Sequence, residues 1–347
     1  MQKQSDQDRP ILAVVGATGA VGAEFLGLLA GDALQPGGIR LFASERSAGR
    51  SVEFRGASVT IEPLRAGCFD GVDLAFFSAG KSVSKEWAPR AVREGAWVVD
   101  NSSAFRMDPA VPLVIPEVNP EAIDACTGPS IVAVPNCSTI VALVAVSPLR
   151  KVAGLRRMVV STYQAASGAG AAAMRELESQ AHDFVHGRPM RTEIFGRQYL
   201  FNCFSHNSAV GPSGYNEEEA KLLHETRKIW GDDRARVTAT CVRVPVLRAH
   251  CESIALEFER PLTEEAAREI LAASPGVEVV DDRAANAFPE PLGAAGRDPV
   301  LVGRIRADWS LEPGMGLQMF VAGDQIRIGA ALTGLRIAQR ILARVPA

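Results

Sequence analysis

Short continuous apolar runs alternate, along the first third of the chain, with stretches whose apolar residues recur every three to four positions. Runs at 11–15, 39–43, 72–77, 97–100 and 130–134 are rich in Val, Ile, Leu and Phe, as strands buried on both faces of a parallel sheet are. Helical patterns lie between them, at 24–29 and 87–94. Strands alternating with helices predict a doubly wound α/β domain. Pro135 interrupts the pattern, and 140–146 is wholly apolar, which predicts a buried helix opened by the cap-type residues Ser138 and Thr139.

Past residue 150 the order changes. Strands are predicted at 156–163, 237–246, 254–259, 277–280, 301–305 and 316–321, with an alanine-rich helix ending near Gln180 and another at 216–229 capped by Asn216. Residues 188–213 show no period and read as loops, and 327–345 reads as one long amphipathic helix. This order implies a mixed sheet in a second, α+β domain. The division expected is 10–135, completed by the helix at 327–345, and 136–326.

Composition narrows the function classes. The chain has 347 residues, enough for two domains, with 47% apolar and 22% charged residues, as soluble globular proteins have. A net charge of −3 gives no reason to expect nucleic acid or an anionic membrane as partner. No apolar run approaches the roughly 20 residues that span a bilayer, and the polar residues 1–9 do not resemble a secretory signal. The six cysteines form no C-x-x-C pair, so neither a metal site nor a disulfide framework is expected, and the reducing cytoplasm is the expected compartment.

Candidate chemistry sits where predicted strands end. The first runs into Gly16-Ala17-Thr18-Gly19-Ala20-Val21-Gly22 and then a helix, the strand–turn–helix arrangement that seats a dinucleotide pyrophosphate on a helix N-terminus. The second ends in Ser44-Glu45-Arg46-Ser47. Two hydroxyls and an arginine suit a ribose 2′-phosphate, so NADP is favoured, with Glu45 the contrary feature. Asn101 and Arg106 follow a further strand. Cys137 lies at a predicted helix N-terminus, where the dipole favours thiolate. Gln164-Ala165-Ala166-Ser167-Gly168-Ala169-Gly170 is a second glycine turn, Glu218 and Lys221 share a helix face, and Arg243 precedes His250 by seven residues.

Taken together, Gly16–Gly22, Asn136-Cys137-Ser138, Gln164, Arg243 and His250 resemble the aspartate-β-semialdehyde dehydrogenases. So do the runs 99–106, 114–120, 161–170 and 243–250, and the resemblance covers nearly the whole chain. It implies a Rossmann-type nucleotide-binding domain and a catalytic and dimerisation domain. It implies NADPH-dependent reductive dephosphorylation of L-aspartyl-4-phosphate, on the route to diaminopimelate and lysine, threonine, methionine and isoleucine. On that resemblance Cys137 is the acyl-thioester nucleophile, His250 the general acid/base, and Gln164 orients the acyl group. Arg243 clamps the substrate α-carboxylate and Glu218 faces its amine or holds neighbouring cations. Arg106, Lys221 and Asn101 bind phosphate. Gly16, Thr18, Gly19, Ala20, Val21, Ser44, Arg46, Ser47, Ser167, Gly168 and Gln325 contact NADP(H). The partners implied are the small-molecule substrate, inorganic phosphate and a second copy of the chain, with a tetramer as the larger alternative.

Three positions depart from the family's pattern: Thr333 after Gly329-Ala330-Ala331-Leu332, Ile328 where a basic residue is common, and Lys81 after Ser78-Ala79-Gly80. All bear on the cofactor side. Two rivals remain from the sequence: an N-acetyl-γ-glutamyl-phosphate reductase, and a non-catalytic nucleotide-binding paralogue that serves as an interaction protein. A phosphorylating triose-type dehydrogenase shares the cysteine–histidine logic but gives Arg243 no carboxylate to bind.

Overall fold

A computed structural model describes residues 9 to 344. The chain divides into two compact units, one made of the residues up to 135 with those from 330 onward, the other of residues 136 to 329.

The first unit contains β1 (Ile11–Val15), α1 (Ala20–Gly31), β2 (Gly38–Ala43), β3 (Ser51–Phe54), β4 (Ala57–Pro63), β5 (Leu74–Phe77), α2 (Lys81–Arg93), β6 (Trp97–Asp100) and β7 (Ile131–Ala133). Its seven-stranded sheet has the order β3-β4-β2-β1-β5-β6-β7. Every pairing is parallel except the β3–β4 hairpin. The strands β1, β5 and β6 are almost wholly buried, as their apolar runs require when helices cover both faces. The β3–β4 hairpin is absent from the sequence reading, because its strands are short and largely exposed and carry no continuous apolar run.

The second unit contains α3 (Cys137–Ala153), β8 (Arg157–Gln164), α4 (Ala171–Val185), β9 (Phe204–Ser205), α5 (Glu217–Trp230), β10 (Val237–Arg243), β11 (His250–Glu257), α6 (Glu264–Ala272), β12 (Val277–Val279), α7 (Pro291–Ala294), β13 (Val300–Ala307) and β14 (Gly316–Gly323). Its seven-stranded sheet has the order β12-β13-β14-β11-β8-β10-β9. It is mixed: β8 and β10 run parallel, while β11 is antiparallel to both β8 and β14. The segment between α4 and α5 is irregular but anchored. Gln180 accepts the Tyr199 and Leu200 N–H groups at 2.9 and 2.8 Å, and Glu176 accepts those of Glu193 and Ile194 at 2.6 and 2.8 Å.

The single long helix expected over 327–345 is broken. A π-helical turn, Arg327–Ala331, precedes α8 (Leu332–Leu342), and residues 345–347 lie outside the described part. In the first unit α8 packs on α1 and β6. Among the described residues, no helix is long and apolar enough to cross a membrane.

Candidate active site

The second unit builds its site from the start of α3. Pro135 cannot continue a helical hydrogen-bond ladder, and Asn136 (φ −61°, ψ 144°) is the cap. Its Oδ1 accepts the N–H groups of Ser138 and Thr139 at 3.0 and 3.4 Å. Cys137 is therefore the first residue of α3. Ser138 and Thr139, expected as caps, lie inside the helix, because an Asn side chain already satisfies the orphan donors they would serve. The opposite side of Cys137 is shaped by the π-turn. A β-carbon on Gly329 would lie 2.9 Å from Cys137 Cβ, so that position must be glycine for the cysteine to sit there.

Helix α5 holds Asn136 in place. A capping box between Asn216 and Glu219 starts the helix. Glu218 and Glu225, seven residues apart, share one face. Glu225 Oε2 accepts the Asn136 N–H at 2.6 Å, and Glu218 Oε1 accepts from Asn136 Nδ2 at 2.9 Å. That same Glu218 oxygen accepts from Gln164 Nε2 at 3.1 Å, while its Oε2 accepts from Lys221 Nζ at 3.0 Å. Burial alone would push the Glu218 carboxyl up. The Lys221 ammonium and the donated hydrogen bonds outweigh it and hold the carboxyl well below the usual range.

The strands supply the rest. Gln164 ends β8 and Arg243 ends β10, paired in register. Gln164 Nε2 also donates to Ser138 Oγ at 3.2 Å, which ties the sheet to the first turn of α3. His250 opens β11 and is fully buried. The Ala165 N–H donates to His250 Nδ1 at 3.0 Å. An amide can only donate, so Nδ1 keeps its lone pair and the neutral ring carries its proton on Nε2. Nε2 has no hydrogen-bond partner among the described residues. Burial and the Arg243 charge push His250 down to about 3, so it is neutral at physiological pH and well below the value of about 6.5 for a free histidine.

Arg243, 4% exposed, donates from Nε to Asn207 Oδ1 at 3.2 Å, from Nη1 to the Ala165 carbonyl at 3.3 Å and from Nη2 to His206 Nε2 at 2.7 Å. Burial and Arg243 together push His206 down to about 4, so it accepts this bond as a neutral ring. Between Arg243 and His250 lies Gly168. A β-carbon there would be 3.1 Å from Arg243 Nη1 and 2.9 Å from His250 Nε2, so both donors border one small space. Ser167 and Gln325 bond to each other, and Gln325 Oε1 accepts the Ala249 N–H at 2.9 Å. They brace the turn that leads into His250.

The first unit holds the other candidates. Gly16 has φ +92°, and a β-carbon on it would meet the Ser78 carbonyl at 2.4 Å, so glycine is obligatory at this turn. The cap of α1 is Gly19, with no side-chain hydrogen bond, and Thr18 and Gly19 are exposed. The first N–H groups of α1 are thus open to an anion, and this cradle fits a dinucleotide pyrophosphate. Ser44 and Arg46 are exposed in the turn after β2, with Ser47 half-buried beside them. Arg106 is buried, its Nε donating to the Val134 carbonyl at 2.9 Å and its Nη2 to the Asn101 carbonyl at 3.1 Å.

The second unit therefore brings together Cys137, Gln164, Glu218, Lys221, Arg243 and His250. Sequence reasoning missed four groups. Asn136 and Glu225 position the start of α3, but in the sequence Asn136 stands only as a neighbour of Cys137, and Glu225 is one unremarked position of the helix predicted at 216–229. His206 lay in a stretch without period. Glu252, on β11, is fully buried with neither carboxylate oxygen partnered among the described residues, and burial pushes it well above the usual carboxylate range.

Residues 11–126 match the family described as semialdehyde dehydrogenase, NAD binding domain, and residues 146–328 match semialdehyde dehydrogenase, dimerisation domain. The chain is 49% identical to an aspartate-semialdehyde dehydrogenase of Synechocystis over 333 residues, covering 96% of this chain and 97% of that protein. It is similar to the crystal structure of aspartate semialdehyde dehydrogenase II of Vibrio cholerae complexed with ASA, with a TM-score of 0.94 and 39% identity, covering 97% and 99% of the two chains. It is also similar to the Candida albicans aspartate semialdehyde dehydrogenase with NADP, with a TM-score of 0.75 and 26% identity, covering 96% and 99%.

Proposed function

The chain belongs to the aspartate-semialdehyde dehydrogenase family, and from that premise we propose that it reduces L-aspartyl-4-phosphate with NADPH, through a thioester on Cys137. The products are L-aspartate 4-semialdehyde and phosphate, which feed the biosynthesis of diaminopimelate and lysine, threonine, methionine and isoleucine. The observation that carries this reading is the pair of donors, His250 Nε2–H and Arg243 Nη1, bordering one space beside Gly168. They lie in the unit that presents Cys137 at a helix start.

We assign residues 10–135 with 327–345 to nucleotide binding and 136–326 to catalysis and dimerisation. The protein acts as a homodimer, in keeping with its dimerisation-domain match, and a tetramer would pair such dimers. Its thiol chemistry suits the reducing cytoplasm. A nicotinamide cofactor is expected on the open start of α1. NADP in particular suits Arg46 with Ser44 and Ser47, through a bidentate contact to a 2′-phosphate. Gly16, Gly19, Ala20 and Val21 would line the pyrophosphate, with Thr18 exposed beside them, and Ser167, Gly168 and Gln325 would lie toward the nicotinamide.

The Cys137 thiolate attacks the acyl carbon and the acyl–oxygen bond breaks, which leaves a thioester and phosphate. Lys221 in the second unit, and Arg106 and Asn101 in the first, are the groups assigned to phosphate, and the covalent detour replaces one hard step with two easier ones. The cofactor, when bound, supplies a hydride to the thioester carbon. The alkoxide that results sits against donors. His250 offers Nε2–H to it, Gln164 orients the acyl group, and Arg243 holds the α-carboxylate with Glu218 beside the amine. The alkoxide collapses to aldehyde and thiolate with no proton consumed. A neutral His250 that donates a hydrogen bond therefore suffices for this step, and phosphate alone takes a proton from water.

The test runs the reaction backwards. Purified protein should reduce NADP only with both L-aspartate 4-semialdehyde and phosphate present, and Cys137→Ser should abolish the signal. A faster rate with N-acetyl-L-glutamate 5-semialdehyde, or full activity in Cys137→Ser, would overturn the reading.

A further inference from the structure

Arg243 uses three of the five N–H bonds of a guanidinium on the protein itself. Two go to adjacent residues, Nε to Asn207 and Nη2 to His206, so one long edge of the planar group is held by a single stretch of chain. The Ala165 carbonyl takes one Nη1–H on the other edge. What remains is one N–H on each of Nη1 and Nη2, the parallel pair at the tip, with Nη1 beside Gly168 and His250.

We propose that His206 is a positioning residue for the substrate-carboxylate clamp: it accepts from Arg243 Nη2 at 2.7 Å and aims the tip of the guanidinium at the acyl site without neutralising it. The inference rests on the reading of Arg243 given above. Its second support is the chemistry of the partners. His206 Nε2, Asn207 Oδ1 and the Ala165 carbonyl are all neutral acceptors, and Arg243 has no ion pair among the described residues. A carboxylate at position 206 would hold the same geometry and quench the charge. A neutral imidazole holds the geometry and leaves the charge for the substrate.

The placement of His206 follows from the fold. Strand β9 adds to β10 in antiparallel register, Arg243 opposite Phe204 and Val242 opposite Ser205, and the His206 N–H donates to the Cys241 carbonyl at 2.8 Å. A guanidinium can only donate, so Nε2 keeps the lone pair and Nδ1 carries the proton, donating to Ser208 Oγ at 3.0 Å in preference to accepting the Ser208 N–H, 3.2 Å away. Within the irregular segment between α4 and α5, the two-residue strand β9 thus places the next residue, His206, so that one nitrogen lone pair meets Arg243.

Four variants test this, with KM for aspartate semialdehyde, KM for phosphate and for NADP, and kcat measured in each. His206→Leu removes the acceptor and should raise KM for the semialdehyde about tenfold, with the other two KM values within twofold and kcat less affected. His206→Gln supplies a neutral acceptor and should restore that KM to within about threefold of wild type. His206→Glu supplies a charged acceptor and should be as poor as His206→Leu. Arg243→Ala should raise the same KM further than any of them. The proposal is overturned if His206→Leu leaves KM for the semialdehyde unchanged, or if His206→Gln is as impaired as His206→Leu. It is also overturned if His206→Glu binds as well as His206→Gln, the deciding pair should the leucine variant not fold. If Arg243→Ala leaves that KM unchanged, the assignment of the carboxylate to Arg243 fails, and this inference with it.

Discussion

Gly168 lies so close to His250 that a β-carbon on it would stand 2.9 Å from the imidazole Nε2. Gly168 is not among the glycines with positive φ, so alanine is acceptable to the backbone there and only the space forbids it. Gly168→Ala should therefore still fold, with a loss of about 1–3 kcal/mol as the buried His250 ring is pushed aside. Its kcat/KM should fall by about a hundredfold or more, because a displacement of about 1 Å at a reacting group costs that much. Wild-type activity in a folded Gly168→Ala protein would mean that His250 does not face the acyl site.

The state of the two histidines sets the response to acid. His206 and His250 are held near 4 and near 3 in the fold, against about 6.5 in an unfolded chain. Between those values the unfolded chain binds protons that the folded one refuses, so the stability they supply is complete above pH 6.5 and falls as the pH drops through the window. His206→Gln removes one of the two. The slope of unfolding free energy against pH from 6.5 to 4 should shrink by up to about 1.4 kcal/mol per pH unit. Urea titrations at pH 4.5, 5.5 and 6.5 would show it, and a slope equal to wild type refutes the assignment.

Glu252 works in the opposite sense. Its folded value is raised, so the folded protein keeps a proton that the unfolded chain loses above its ordinary range. That contribution is full at low pH and is lost as pH rises. Glu252→Gln retains the shape of the neutral acid and cannot ionise. Its melting temperature should match wild type near pH 4.5 and exceed it increasingly toward pH 8, as differential calorimetry can record. A gap that does not grow with pH would show that Glu252 is ionised in the fold.

Position 225 tests the grip on α3. Glu225→Ala removes the acceptor of the Asn136 N–H, held at 2.6 Å in a buried setting, and an unsatisfied buried amide costs about 1–3 kcal/mol. Chemical denaturation should show at least that loss. Glu225→Gln, which keeps an acceptor oxygen, should lose less than half as much. Equal losses would point to packing alone.

Cofactor choice is tested at Arg46, exposed in the turn after β2. Arg46→Ala should lower kcat/KM for NADP by roughly ten- to a hundredfold, the range for a charged contact to phosphate, and leave NAD within about threefold. An equal fall with both cofactors would remove Arg46 from the 2′-phosphate.

How much of this could be read from the sequence differs by residue, for physical reasons. The parallel strands of the first sheet announced themselves because both faces are buried and their apolar runs are unbroken. Cys137 at a helix start was legible from Pro135 and the run after it. Its cap was not, since Asn136, Ser138 and Thr139 are all cap-type residues and only geometry chooses among them. The terminal helix was read as continuous because Gly329 looks like an ordinary weak helix residue until its contact with Cys137 is seen. His206 left no trace because its partner is 37 residues away in sequence and its segment follows no period. Glu252 has the parity of Ile254 and Leu256 on β11, but it precedes the run 254–259 whose alternation marks the strand, so only the completed unit shows that side to be buried.

Glu218 Oε1 accepts from both Asn136 Nδ2 and Gln164 Nε2, so the cap of the nucleophile's helix and the group that orients the acyl chain share one acceptor. Loss of either donor lets that oxygen recentre on the other. Asn136→Ala and Gln164→Ala will then not sum in the double variant, and the coupling energy should be on the order of 0.5–3 kcal/mol. The rate lost on removing either donor belongs to the triad of side chains rather than to one residue. An inhibitor that draws Gln164 away from Glu218 would loosen the start of α3 as well, and so reach Cys137 without touching its sulfur.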